Sequence, residues 1–328
     1  MAAAKPNVYL AIRIAEDALA RIEAECAVRR FEGRGMPSRD ELLAAVADVE
    51  GLLGSAQLPV DAGVLAAAPR LRVVSNFGVG FDNVDLAAAT ERGILVCNTP
   101  GVLSDAVADL TMALVLSLAR RLPESERFVR EGRWGVGPGL ELGTDVGGKT
   151  LGIIGLGRIG CEVARRALAF GMEVWFHDAF RDPPPEVAFC RYRDFDDLLR
   201  ESDFVSLHVN LSEETRGLIG ARELGLMRPT AYLINTARGP VIDQAALVEA
   251  LRAGTIAGAA LDVLEREPPA GDEPVLQLPN VIVLPHVGSA TRETRRAMLD
   301  LSIDNLLAAL RGETPACVVN PEVLGRQR

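Results

Sequence analysis

Six residues, GLGRIG at 155–160, leave this chain few architectures to choose from. They follow the apolar run LGII and precede CEVARRALAF, so the glycines fall on a turn between a strand and a helix. In that setting Gly155 permits the tight turn, Gly157 lets backbone approach a pyrophosphate, and Gly160 lets the helix pack closely on the strand. The helix start, with its unpaired N–H groups and dipole, favours an anion. Asp178 ends the next apolar run, 23 residues after Gly155. That is near the spacing of about 20 at which an acidic residue meets the ribose hydroxyls of NAD. The extra phosphate of NADP would set a second negative charge against it, so NAD is the favoured cofactor and NADP a possible one. Arg158 and Ile159 complete the cofactor-binding turn. Read otherwise, the run is an ordinary glycine-rich turn and Asp178 a solvated strand end.

With 328 residues, the chain has length for about two domains at roughly 150 residues each. Apolar runs alternate with helical patterns along most of it, which argues for parallel sheets flanked by helices. Strands are expected at 7–12, 49–53, 71–75 and 94–98, then at 151–155, 173–177, 204–209, 232–236, 257–262 and 281–284. Ser38 and Glu41 form a capping box, and the helix over 84–91 stops at Gly93. A long apolar helix is expected over 104–121, closed by Pro123, and another over 291–310. Residues 132–148 are glycine-rich and poorly periodic.

Composition excludes several roles. The formal charge of −10 opposes binding to nucleic-acid phosphates or an anionic membrane surface. The longest apolar run, 107–119, contains Asp109, Thr111 and Ser117 and falls short of the roughly 20 residues that cross a bilayer. The first apolar stretch, 8–14, is broken by Arg13 and has no signal-peptide pattern, so a cytoplasmic location is expected. Five scattered cysteines without a CxxC pair point to reduced thiols. With three histidines and no carboxylate-rich cluster, no metal is expected. Lys5 and Lys149 are the only lysines, which disfavours Schiff-base chemistry.

The fingerprint sits near the middle of the chain, so a first α/β unit precedes the cofactor unit. Four further segments then become legible together: NFGVGFDNVD (76–85), NTARGPVID (235–243), LDVLEREP (261–268) and PHVGS (285–289). With GLGRIG they resemble the D-isomer-specific 2-hydroxy acid dehydrogenases over about 49–311. NTPGVLSDAVADL and PHVGSATRETRRAM look most like the glyoxylate, hydroxypyruvate and hydroxyphenylpyruvate reductases. The resemblance implies a two-domain α/β fold, a Rossmann dinucleotide-binding domain (102–290) inserted in a flavodoxin-like substrate domain (1–101 and 291–328), with the ligand in the cleft. It implies a catalytic set of Arg238, Glu267 and His286, backbone at Val79 and Gly80 on the substrate carboxylate, and Asp262 on the nicotinamide carboxamide. Val209, Thr236, Ala237 and Gly288 join the expected cofactor contacts, and Ser289, with Arg238 and His286, the substrate contacts.

The chemistry supports those roles. Reducing a 2-keto acid to the D-2-hydroxy acid needs a hydride on carbon, a proton on oxygen, and a cation to hold the carboxylate and polarise the carbonyl. Arg238 suits the last task, because a guanidinium is always charged and forks onto a carboxylate. His286 suits proton transfer, since an imidazole titrates near neutral pH. Glu267 would orient the ring and stabilise its charged form. Taken singly, each is more often a solvated or structural residue; falling together after strands of one open sheet, they read as a site.

His177 and His208 read as packed or near the cofactor, without chemistry, and Cys161 as a small buried side chain. Two departures limit the transfer. NADPH-using relatives carry a small or hydroxyl residue followed by Arg where Asp178 and Ala179 stand, and the stretch 134–149 differs from the relatives' loop. The apolar surplus of the 104–121 helix, with the resemblance, implies a homodimer. Other readings are an NAD-sensing binding protein like the C-terminal-binding corepressors, or a dehydrogenase of another small acid such as phosphite, formate or 3-phosphoglycerate. The chain's end soon after Leu310 disfavours a C-terminal regulatory domain.

Overall fold

In the computed structural model, which describes residues 4–325, the chain divides into two units. One runs to Leu103 and resumes at Thr291; the other is Ser104–Ala290. The first holds strands β1 (Asn7–Leu10), β2 (Ala27–Arg30), β3 (Gly51–Ser55), β4 (Val73–Phe77) and β5 (Leu95–Cys97), ordered β2-β1-β3-β4-β5. The second holds β6 (Thr150–Ile154), β7 (Glu173–His177), β8 (Arg191–Tyr192), β9 (Phe204–Leu207), β10 (Tyr232–Asn235), β11 (Gly258–Leu261) and β12 (Val281–Val283), ordered β12-β11-β10-β9-β6-β7-β8. Neighbouring strands run parallel in both sheets. The first order is flavodoxin-like; the second is the Rossmann order with one strand added. The α/β fold class expected from the sequence is the one observed.

Parallel strands are covered on both faces and so read as near-continuous apolar runs. Leu52 and Leu53 of β3, and Leu151 and Ile153 of β6, are fully buried. The capping box is present, with Ser38 N–H donating to Glu41 Oε2 at 2.8 Å. Gly93 has a positive φ of 70° just past the Leu86–Glu91 helix, the left-handed stop that favours glycine.

Three expectations are corrected. The edge strands β2 and β8 carry mostly exposed or half-buried side chains, so they lack the apolar run by which the central strands were read. The long helix ends at Ala119, Arg121 turns left-handed, and Pro123 sits in the first turn of a second helix, Leu122–Arg130. Proline is tolerated there because first-turn N–H groups have no intrahelical acceptor. Lastly, most of the apolar surplus of the first helix is absorbed within its own unit: Met112, Leu114, Val115 and Leu118 pack in one core with Leu151 and Ile153, while Leu116 stays half-buried. Exposed large apolar side chains follow that helix instead: Leu122, Val129, Trp134, Val136 and Leu142.

Candidate active site

The GLGRIG turn leaves β6 and enters the Arg158–Ala169 helix. Gly155 has φ of 93°, and a Cβ there would lie 2.8 Å from the His208 carbonyl. A Cβ at Gly160 would lie 2.3 Å from the Gly155 oxygen, which fixes the close helix packing. Gly157 differs, since a Cβ there would meet no protein atom within 4 Å. The turn thus keeps open space where a phosphate can close on backbone. No side chain caps the helix, so its first N–H groups remain available to an anion. Asp178 follows β7, and its Oδ2 accepts from Leu156 N–H at 2.7 Å, which ties the carboxylate to the turn. These residues fit a dinucleotide. Val209, after β9, closes on the same turn, its Cγ1 3.0 Å from a Cβ at Gly155.

The reactive side chains come from three loops of the same unit. At the end of β10, Asn235 accepts from Ala237 N–H at 3.0 Å and donates to the Arg238 carbonyl at 2.8 Å. That clamp sets the half-buried Arg238. Buried Thr236 shares a hydroxyl contact of 3.0 Å with Thr111. Gly239 has no room for a side chain, because a Cβ would lie 1.9 Å from the Leu264 carbonyl. The absence of one lets the loop that carries Glu267 cross over the Arg238 turn. Gln244 holds that loop, accepting from Glu265 N–H at 3.1 Å and donating to Glu273 at 2.8 Å.

Glu267 accepts from Leu264 N–H through Oε1 and meets His286 Nδ1 through Oε2 at 2.7 Å. Side-chain exposures of 32% for His286 and 22% for Glu267 leave the pair partly open to solvent. His286 has φ of 55°, a left-handed conformation that a non-glycine residue holds only when its surroundings impose it. The imposing group is Asp262. Its carbonyl accepts from His286 N–H at 2.8 Å, and its carboxylate oxygens accept from Val287 and Gly288 N–H at 2.7 and 2.8 Å. Asp262 is 1% exposed, and it gains a structural duty absent from the sequence reading. Half-buried Ser289 follows directly.

Val79 and Gly80 lie in the first unit, after β4. Asn98 donates to the Val79 carbonyl at 2.8 Å and Asn76 to the Gly80 carbonyl at 2.6 Å. With both carbonyls tied back, neither residue's N–H has an acceptor among the described residues. This turn therefore offers two amides to an anion. Asn76, Asn98, Asn235 and Gln244 are not among the site residues expected from the sequence, although Asn76, Asn98 and Asn235 open three of the quoted segments.

The remaining candidates are structural. His177 contacts the Arg193 carbonyl at 3.1 Å and packs beside Tyr192 and Phe195. His208 contacts Ser206 Oγ at 2.8 Å, and desolvation pushes its pKa down to about 3. Cys161 is buried, donates to the Leu156 carbonyl, and burial raises its pKa. Among the described residues there is no cluster able to hold a metal ion, and no helix long and apolar enough to cross a membrane.

Residues 112–288 match the family described as D-isomer specific 2-hydroxyacid dehydrogenase, NAD binding domain. The chain is 47% identical over 323 residues to a glyoxylate reductase of Korarchaeum cryptofilum, covering 98% of this chain and 97% of that protein. It is 46% identical over 326 residues to a glyoxylate reductase of Thermococcus litoralis, covering 98% of each. A solved NADPH-dependent glyoxylate/hydroxypyruvate reductase from Sinorhizobium meliloti, in complex with NADP and malonate, superposes with a TM-score of 0.85 at 37% identity over 98% of both chains. The chain therefore belongs to the D-isomer specific 2-hydroxyacid dehydrogenase family, as an NAD(P)-dependent enzyme.

Proposed function

We propose that the chain reduces a small 2-keto acid, with glyoxylate and hydroxypyruvate as the first candidates, to the D-2-hydroxy acid. The observation that carries this reading is the 2.7 Å contact between His286 Nδ1 and Glu267 Oε2. It fixes the imidazole and leaves Nε2 as the nitrogen that Glu267 does not engage. Bound NAD(P)H supplies the hydride. His286 gives a proton to the former carbonyl oxygen, Glu267 orients the ring, and Arg238 holds the carboxylate and polarises the carbonyl. The N–H groups of Val79 and Gly80 bind the substrate carboxylate, and Ser289 adds a hydroxyl contact. Arg158, Ile159, Val209, Thr236, Ala237, Asp262 and Gly288 line the cofactor, with Asp178 on the ribose. In this reading the unit that includes Gly155 is the cofactor domain and the other the substrate domain.

A homodimer is part of the proposal, at a different address from the one the long helix suggested. Trp134, Val136 and Leu142 are 77%, 69% and 94% exposed, and a second copy is the cover that closed symmetry offers such side chains. The deciding experiment is a panel of glyoxylate, hydroxypyruvate, hydroxyphenylpyruvate and pyruvate with NADH and NADPH. Turnover of glyoxylate or hydroxypyruvate to the D-product supports the reading. Cofactor binding without turnover of any keto acid would instead favour a sensing role.

A further inference from the structure

In the first unit, the carboxyl ends of β1, β3 and β4 and the first turns of the Arg292–Arg311 helix line a solvent-open cavity of about 440 Å³. The strand order reverses between β1 and β3, which is where open α/β sheets bind ligands. The volume is that of a small-molecule site.

Three guanidinium groups reach its wall, and they differ in status. Arg13 donates to the carbonyls of Glu32 and Gly33 at 3.2 and 2.9 Å. Arg296 pairs with Asp17 and Asp300 at 2.5 and 2.7 Å. Arg295 has neither kind of partner: among the described residues no carbonyl or carboxylate accepts from its side chain. It lies over the Phe77 ring, 5.4 Å from the centroid, and burial draws its pKa below the ordinary arginine value. A permanently charged, half-buried group without a counter-charge weakens the fold, so its presence calls for an anion from outside. Close by, Ser55 Oγ donates only to Met36 Sδ at 3.8 Å. A thioether is a weak acceptor, and an oxyanion would take that proton in its place. Ile12, Ile14 and Leu299 supply apolar wall.

We propose that this cavity is a second carboxylate site and that the preferred substrates are 2-keto acids with a carboxylate at the far end of a short methylene chain. Arg295 and Ser55 hold the distal carboxylate, and the methylenes lie against Ile12, Ile14 and Leu299. The proposal rests on the reading that the chain reduces 2-keto acids bound by the amides of Val79 and Gly80. Phe77 joins the two features, lining the cavity and preceding that turn by two residues.

The test compares 2-ketoglutarate with 2-ketovalerate, and oxaloacetate with 2-ketobutyrate, pairs matched in carbon number, using NADH. A hydrogen-bonded charge pair predicts a kcat/KM ratio of about tenfold or more in favour of the dicarboxylic acid. Arg295→Met should bring that ratio to one or below. Arg295→Lys, which keeps the charge but loses the planar fork, should hold an intermediate value. A ratio at or below one in the native protein, or a ratio unmoved by Arg295→Met, overturns the proposal. Arg295→Met should melt at or above the native temperature, since it removes an unpaired charge; a marked drop would reveal a structural guanidinium and also overturn it. If the native protein reduces no keto acid, the catalytic reading fails, and calorimetry with glutarate decides the cavity alone. Binding that Arg295→Met abolishes supports the site, whereas no binding, or binding unchanged in the variant, overturns it.

Discussion

His286 Nδ1 stands 2.7 Å from Glu267 Oε2, across a gap of nineteen residues in sequence. The contact decides which ring nitrogen is committed to orientation, and so which one is left for proton transfer. Both side chains come from loops after strands of one parallel sheet, which brings distant residues together at the carboxyl edge.

Replacing His286 by Ala is expected to lower kcat by about 10² to 10⁴, the usual contribution of a positioned general acid, with little change in NADH affinity. Glu267→Gln keeps the size and the chance of a hydrogen bond but removes the charge, so it should cost less than His286→Ala and shift the pH profile of kcat. Steady-state kinetics from pH 5 to 9 check both. Near-native turnover of His286→Ala at neutral pH would remove the residue from the mechanism.

Gly239 tests how the site is assembled. A Cβ placed there would collide with the Leu264 backbone at 1.9 Å, and backbone, unlike a flexible side chain, cannot step aside. Gly239→Ala should therefore displace the loop carrying Glu267, destabilising the fold by about 1–3 kcal/mol as overpacking does. Turnover should fall with it. A variant with native melting temperature and native kcat would show that the loop path is not fixed by this contact.

Much of this arrangement is legible in the sequence. Central strands such as β3 and β6 are apolar on both faces, and the glycine spacing carries its own geometric reasons. What the sequence does not display depends on the path of the chain. β2 reads AVRR because an edge strand keeps exposed side chains, and Pro123 looks like a stop when the same residue type also starts helices. Asn76, Asn98 and Asn235 work by bonding to carbonyls of a turn, a relation no periodicity records. Asp262 was visible as a residue but not as the anchor of three consecutive amides, since the turn at His286 has to be seen for those amides to converge.

His208 sets an expected acid limit on stability. Desolvation lowers its folded pKa to about 3 from the ordinary 6.5, so the folded state resists a proton that the unfolded state accepts. Its contribution is intact above pH 6.5, drains as the pH falls from 6.5 toward 3, and amounts to a loss of about 2 kcal/mol at pH 5. Denaturant melts at pH 7.5 and 5.0 should show that loss, and His208→Gln should flatten the dependence over this window, which lies above the carboxylate range. A native-like slope in His208→Gln would assign the acid sensitivity to other groups.

Asp178 bears on the choice between NADH and NADPH. One carboxylate oxygen accepts from Leu156 N–H at 2.7 Å, and a carboxylate has lone pairs to spare for ribose hydroxyls. A 2′-phosphate would bring like charges together. At an effective dielectric of about 20 and a separation of about 4 Å, the repulsion is about 4 kcal/mol before solvent and side-chain rotation reduce it. A competing cation is Arg181, three residues on in sequence, which lies over the Tyr192 ring at 5.0 Å and 3.8 Å from Asp194. Both ends of that ion pair are exposed, at 75% and 70%, and such pairs hold weakly. Arg181 can therefore leave Tyr192 for a phosphate and soften the penalty without removing the charge of Asp178. The expected result is a kcat/KM for NADH about tenfold or more above that for NADPH on one keto acid. Asp178→Asn should narrow the gap, chiefly by improving NADPH, and Arg181→Ala should widen it. If the native protein uses NADPH as well as or better than NADH, Asp178 is not the residue that discriminates, and its task is then to hold the glycine turn in shape through its bond to Leu156.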